Sequence, residues 1–111
     1  TVVMVVGDHG ESLGDHGESS HAYFIYDATT RVPLVVRTPW GLTGRRTLQT
    51  SGVDVMPTVL DLVGLPPQPG IDGHSLAREI LDPRATSAAS RSSTYCQLFA
   101  HAAFAPVRGF H

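Results

Sequence analysis

The chain has 111 residues, 41% of them hydrophobic, a size that supports one modest core. A formal charge of −2 gives no footing for attraction to nucleic acid or to an anionic membrane surface. All eight basic residues are arginine, which excludes lysine chemistry, and the single Cys96 excludes an internal disulfide.

The first element is a strand: Val2 to Val6 are consecutive apolar residues, as suits a strand of a parallel α/β sheet covered on both faces. It runs into Gly7-Asp8-His9-Gly10-Glu11. In such sheets ligands sit outside the carboxyl ends of the strands, where Asp8 and His9 fall. The flanking glycines relax the backbone, so both side chains can turn to one point. Those residues fit two readings equally, a metal site and a strand-ending turn. The following loop favours the metal site, because Asp8 to His21 holds three His, two Asp and two Glu against one aliphatic residue, Leu13. Loops that only connect elements are shorter and lack such convergent titratable groups.

Further on, Asp27 is a good N-cap for a helical turn that Pro33 stops. Leu34 to Arg37 reads as a second strand closed by Thr38 to Gly41, and Thr47 to Thr50 as a short third. Ser51 or Asp54 caps a helix through Val63, with Val55, Met56, Val59, Leu60 and Val63 as its apolar face and Gly64 as its stop. Pro57 falls near the first turn, where proline is tolerated. Pro66 to Gly70 is a stiff connector, Ser75 to Leu81 a short helix, and Asp82 to Ser93 a polar linker. Thr94 to Phe99 and Pro106 to Phe110 read as a hairpin. No apolar run is long enough to span a bilayer, and no signal-peptide pattern is present; the compartment stays open.

Several strings together resemble the sulfatase family of the alkaline phosphatase superfamily. They are Asp8-His9-Gly10-Glu11-Ser12-Leu13-Gly14-Asp15-His16-Gly17-Glu18, then His21, then Tyr26 to Arg37, Val53 to Pro66, and Asp72-Gly73-His74-Ser75-Leu76. The resemblance implies an α/β fold, a fragment of an alkaline-phosphatase-like sandwich with a central, mostly parallel sheet flanked by helices. Residues 1–82 would be the C-terminal part of the catalytic domain, and 83–111 a linker and the start of a C-terminal hairpin. It also implies a metal-dependent hydrolase of sulfate esters. The family's nucleophile, formylglycine made from a Cys/Ser-x-Pro-x-Arg motif, has no counterpart here and would lie upstream. The chain opens inside a strand without a start methionine, so the expectation is a piece that works with the missing N-terminal part of its own domain. The alternative is a short gene that has lost half its active site.

The resemblance assigns roles residue by residue. Asp8 and His9 match the paired metal ligands that close the strand. The ion would be calcium, or manganese or zinc because His9 supplies nitrogen. His21 stands where classical sulfatases place a lysine that contacts the sulfate, and would donate to a sulfuryl oxygen or protonate the departing alkoxide. Glu11 would orient a ligand, and His16 would line the pocket or lie just outside the ligands. Without the resemblance, His21 and His16 read as surface-loop histidines, and Asp15 and Glu18 as solvated loop charges. Arg31 and Arg37 read as structural ion-pair partners, and Cys96 as a buried hydrophobe in a strand. The partner is a small-molecule sulfate or phosphate ester. A phosphodiesterase, phosphonate monoester hydrolase or phosphoethanolamine transferase is the related reading, and a non-catalytic metal-binding or structural remnant the third.

Overall fold

A computed structural model describes residues 1–21, 24–82, 84–85, 95–98 and 107–110. In chain order these form β1 (Val3–Val6), a 3-10 turn (Asp15–Gly17), α1 (Asp27–Thr30), β2 (Leu34–Arg37), a second 3-10 turn (Gly52–Asp54), α2 (Val55–Leu62), α3 (Ala77–Leu81), β3 (Tyr95–Leu98) and β4 (Val107–Phe110). β1 and β2 are neighbours in a two-stranded sheet. Among the described residues that sheet is no wider, so the central sheet flanked by helices is not seen. Nor is β1 covered on both faces: Val3, Val5 and Val6 are exposed, Val5 at 59%. An apolar run records what a strand can bury, not what covers it.

The described residues sort into two compact units, Thr1–Met4 with Val35–Ser92 and Val5–Leu34 with Ser93–His111. In the first, the segment Thr47 to Thr50 forms no strand. α2 starts after its 3-10 turn and ends where Gly64 takes a positive φ of 74°. Leu65 N–H then donates to the Leu60 carbonyl at 2.8 Å and Gly64 N–H to that of Asp61 at 3.0 Å, the paired bonds of a Schellman motif. The buried face of α2 is not the apolar stripe read from the sequence. Pro57, Thr58 and Leu62 are buried, while Met56, Val59 and Val63 are exposed.

A buried polar node accounts for that rotation. Asp54, 1% exposed, accepts Ser51 N–H at 2.8 Å through Oδ2 and His74 N–H at 2.9 Å through Oδ1. Thr58, fully buried, donates its hydroxyl to the Asp54 carbonyl and accepts Leu76 N–H at 2.9 Å. These bonds fasten the start of α2 to the segment leading into α3, which begins at Ala77 instead of Ser75. Gly73 is required here, because a Cβ would meet the Val53 carbonyl oxygen at 1.9 Å. Burying two polar side chains costs little when every donor and acceptor is matched. Among the described residues of this unit, Leu62 and Ala77 are the buried hydrophobic ones.

In the second unit, α1 starts at Asp27 and not after it. The Tyr26 N–H donates to Thr29 Oγ1 at 3.3 Å, and the buried Thr29 hydroxyl reaches the carbonyls of Phe24 and Tyr26. The helix stops at Thr30, with Arg31 already extended ahead of Pro33. β3 and β4 pair antiparallel as the expected hairpin, Tyr95 opposite Phe110 and Leu98 opposite Val107. The linker beyond Ala85 and the Cys96 side chain lie outside the described residues. Among those residues Arg31 and Arg37 make no ion pair, contrary to the sequence expectation; both are exposed, where such a pair would be worth little.

Candidate active site

The site is built from the loop that leaves β1. Gly7 N–H donates to the Pro33 carbonyl at 3.3 Å, which ends the strand beside the start of β2. Three residues later Gly10 N–H donates to the Thr29 carbonyl at 2.8 Å. The backbones approach so closely there that a Cβ on Gly10 would stand 2.0 Å from the Ala28 carbonyl oxygen. Asp8 and His9 are therefore held between two backbone anchors, and only glycine fits the second.

Beyond Gly10 the loop closes on itself. Ser12 N–H donates to the Ser20 carbonyl at 3.0 Å and Gly14 N–H to that of Glu18 at 2.7 Å. The turn between uses left-handed backbone at Leu13 (φ 52°) and His16 (φ 54°), conformations that side-chain-bearing residues rarely adopt. Glu18 is buried, 4% exposed, against the expectation of a solvated charge; its Oε2 lies 3.5 Å from the buried Ser12 hydroxyl. The loop tucks this carboxylate inward because its backbone closes around residues 12 to 20.

The Ser12–Ser20 bond sets Glu11 and His21 side by side across the neck of the loop. His21 Nδ1 lies 2.9 Å from Glu11 Oε2, and the His21 ring stacks on His9 with centroids 3.8 Å apart and planes at 28°. This hydrogen bond from His21, helped by the Ser20 hydroxyl, holds the Glu11 carboxyl below its ordinary range. Asp8 is held low too, first by the His9 N–H that donates to its Oδ1 at 3.0 Å and then by its own backbone N–H. Both groups are carboxylates at neutral pH.

Asp8, His9, Glu11 and His21 thus form one connected group. His16 joins a different pair: its ring stacks on Tyr26 at 3.9 Å and 13°, and its Nδ1 lies 3.1 Å from Asp15 Oδ1. None of its contacts among the described residues is with the other four. The Glu11–His21 pairing, the Tyr26 stack and the burial of Glu18 had no local sequence signal, since each joins residues six to ten positions apart inside a loop without periodicity.

The donor chemistry at Asp8 and His9 fits a divalent ion. His9 Nδ1 lies 2.9 Å from the Gly10 carbonyl, to which it donates, so Nε2 carries the lone pair. Asp8 has Oδ1 engaged by a backbone N–H, leaving Oδ2. The two remaining atoms face each other at 3.8 Å, within the span that two ligands of one ion bridge at bonds of roughly 2.0–2.4 Å. Among the described residues no set of three His, Cys, Asp or Glu side chains is grouped to hold a metal, so these two atoms alone do not make a complete coordination shell.

Comparison with known proteins places the chain in a family. The sulfatase family profile matches residues 1–65. Arylsulfatase K of Danio rerio is 38% identical over 77 residues, 68% of this chain and 14% of its own length. Among solved structures, the phosphonate monoester hydrolase of Silicibacter pomeroyi superimposes with a TM-score of 0.77 at 33% identity, over 88% of this chain and 19% of that one. A structure in complex with its substrate D-glucosamine-2-N,6-O-disulfate gives 0.73 at 29% identity, over 93% and 21%. The chain belongs to the sulfatase family, within the alkaline phosphatase superfamily. It spans about one-seventh of the arylsulfatase that it matches.

Proposed function

We propose that this chain carries part of the active site of a metal-dependent sulfate-ester hydrolase. The observation that carries the reading is the strand-end pair Asp8 Oδ2 and His9 Nε2, 3.8 Å apart, with the His21 ring stacked on His9. A divalent ion held by that pair (calcium, or manganese or zinc given the nitrogen donor) would supply positive charge to polarise the ester oxygens. His21 donates a hydrogen bond to an oxygen of the bound ester or a proton to the departing alkoxide. Formylglycine is the nucleophile the family resemblance implies. These 111 residues contain no Cys/Ser-x-Pro-x-Arg motif to form it, so turnover requires groups beyond this chain.

The substrate class is a small sulfate ester, in keeping with the sulfated sugar bound in a structural relative. A second reading, hydrolysis of phosphonate or phosphate esters, draws on the phosphonate monoester hydrolase among the neighbours. The test is an assay of the full gene product containing this chain on matched aryl sulfate and aryl phosphonate esters, before and after chelation. Preferential sulfate hydrolysis that chelation abolishes and added manganese or calcium restores is the expected result. A preference for the phosphonate would establish the second reading. No turnover on either ester would leave a non-catalytic remnant.

A further inference from the structure

Two imidazoles stack in this loop, and both are tied down through the same atom. His9 is anchored through Nδ1 to the Gly10 carbonyl, and His21 through Nδ1 to Glu11 Oε2, each at 2.9 Å. The Ser20 hydroxyl, 3.5 Å away, also approaches Nδ1 of His21, whereas Nε2 of His21 has no hydrogen-bond partner among the described residues. Stacking on His9 fixes the ring plane, and the Glu11 carboxylate fixes its rotation within that plane. The two constraints together leave one ring nitrogen available. The Ser12–Ser20 backbone bond delivers both partners to the loop neck, so the pairing does not depend on long, free side chains finding each other.

We propose that Glu11 is a positioning residue for His21, anchoring Nδ1 so that His21 meets a sulfuryl or phosphoryl oxygen, or the departing alkoxide, only through Nε2. This deepens the proposed function and rests on it for the identity of the ester. Glu11 itself touches neither the ester nor the ion. Its part is that of the carboxylate that orients an imidazole in other acid–base sites: it selects the tautomer and holds the ring. The step uses the doubly protonated ring: its Nε2–H bond breaks as that proton passes to the leaving alkoxide, and Nε2 takes up a new proton from solvent, while Nδ1–H stays hydrogen-bonded to Glu11 throughout.

The test reads the ring directly. The chain is labelled with nitrogen-15 in histidine, and long-range proton–nitrogen correlations are recorded where imidazoles are neutral and no metal is present. His21 is expected in the Nδ1–H form, with a pyridine-type Nε2, the reverse of the form that a solvated imidazole favours. Glu11→Ala should switch the two nitrogen types. Glu11→Gln should restore the original assignment, because its side-chain carbonyl accepts the same hydrogen bond without the charge. Retained dispersion of the β2 amides shows that the fold survives. If Glu11→Ala unfolds the chain, the wild-type and Glu11→Gln spectra decide alone. An Nε2–H form for His21 in the wild type, or an unchanged pattern in Glu11→Ala, overturns the assignment. No turnover enters the measurement, so it stands or falls separately from the ester assay.

Discussion

Replacing Gly10 by alanine tests whether the active-site loop is held by backbone contact with α1. The new methyl would lie 2.0 Å from the Ala28 carbonyl oxygen and 3.2 Å from Thr29 Cα, about 1.4 Å short of ordinary contact with the oxygen. The obstacle is backbone, so no side chain can swing aside. Relief requires the loop to lift off α1, which breaks the 2.8 Å bond from Gly10 N–H to Thr29. The lost bond costs about 1 kcal/mol and the overpacking about 1–3 kcal/mol, for a total of about 2–4 kcal/mol. With a urea m-value of about 2 kcal/mol/M, the unfolding midpoint should fall by roughly 1–2 M. Gly14→Ala is the control: it has open space but a φ of 98°, so it pays backbone strain of about 1 kcal/mol without a clash. In the full gene product a displacement of this size at Asp8 and His9 should lower turnover by roughly 100-fold. If Gly10→Ala unfolds at the same urea concentration as Gly14→Ala, or leaves the His9 and His21 resonances unmoved, the anchoring argument fails.

Asp54→Ala leaves the N–H groups of Ser51 and His74 without their acceptor, and should destabilise the chain by about 3 kcal/mol, with Asp54→Asn intermediate; denaturant unfolding measures both. Glu11, whose carboxyl is held below its ordinary 4.5, binds fewer protons folded than unfolded near that pH. Its contribution to stability is therefore complete above 4.5 and lost as pH falls through the depressed value, so Glu11→Gln should flatten the acid limb of a urea-midpoint titration and leave the neutral region parallel to wild type. Manganese added to the chain should broaden the His9 and His21 resonances before those of His74, and Asp8→Ala should weaken that effect at least tenfold in metal concentration. Equal broadening of all three histidines would mean non-specific binding.

Punctuation made the elements legible. Pro33 stopped α1, Gly64 ended α2, and the apolar runs around residues 3–6 and 34–37 became strands. What the sequence concealed was which side of each element is covered. The stripe of Met56, Val59 and Val63 was the natural choice for burial, yet the face with Asp54 and Thr58 is inside. Its reason lies in partners 18 and 20 residues away, the N–H groups of Leu76 and His74, which no window on a single helix can register. The same limit applied at the site. Asp8, His9, Glu11 and His21 stood out by residue type, whereas the pairing of Glu11 with His21 and the diversion of His16 to Tyr26 depend on how the loop closes. Glu18 was misread for that reason: a carboxylate in a polar loop is normally solvated, and only the closed loop turns it inward.

The loop neck also bears on the order of events in folding. Across the neck, the Glu11–His21 contact and the Ser12–Ser20 and Gly14–Glu18 bonds close segments only four to ten residues long. Contacts of such low sequence separation cost little chain entropy and form early, ahead of pairings like that between Asp54 and His74. Amide exchange should accordingly find the Ser12 and Gly14 N–H groups protected in partly unfolded forms that have already released His74. In kinetic terms, the ligand-bearing loop would then be a preassembled cassette around which slower parts of the molecule arrange themselves.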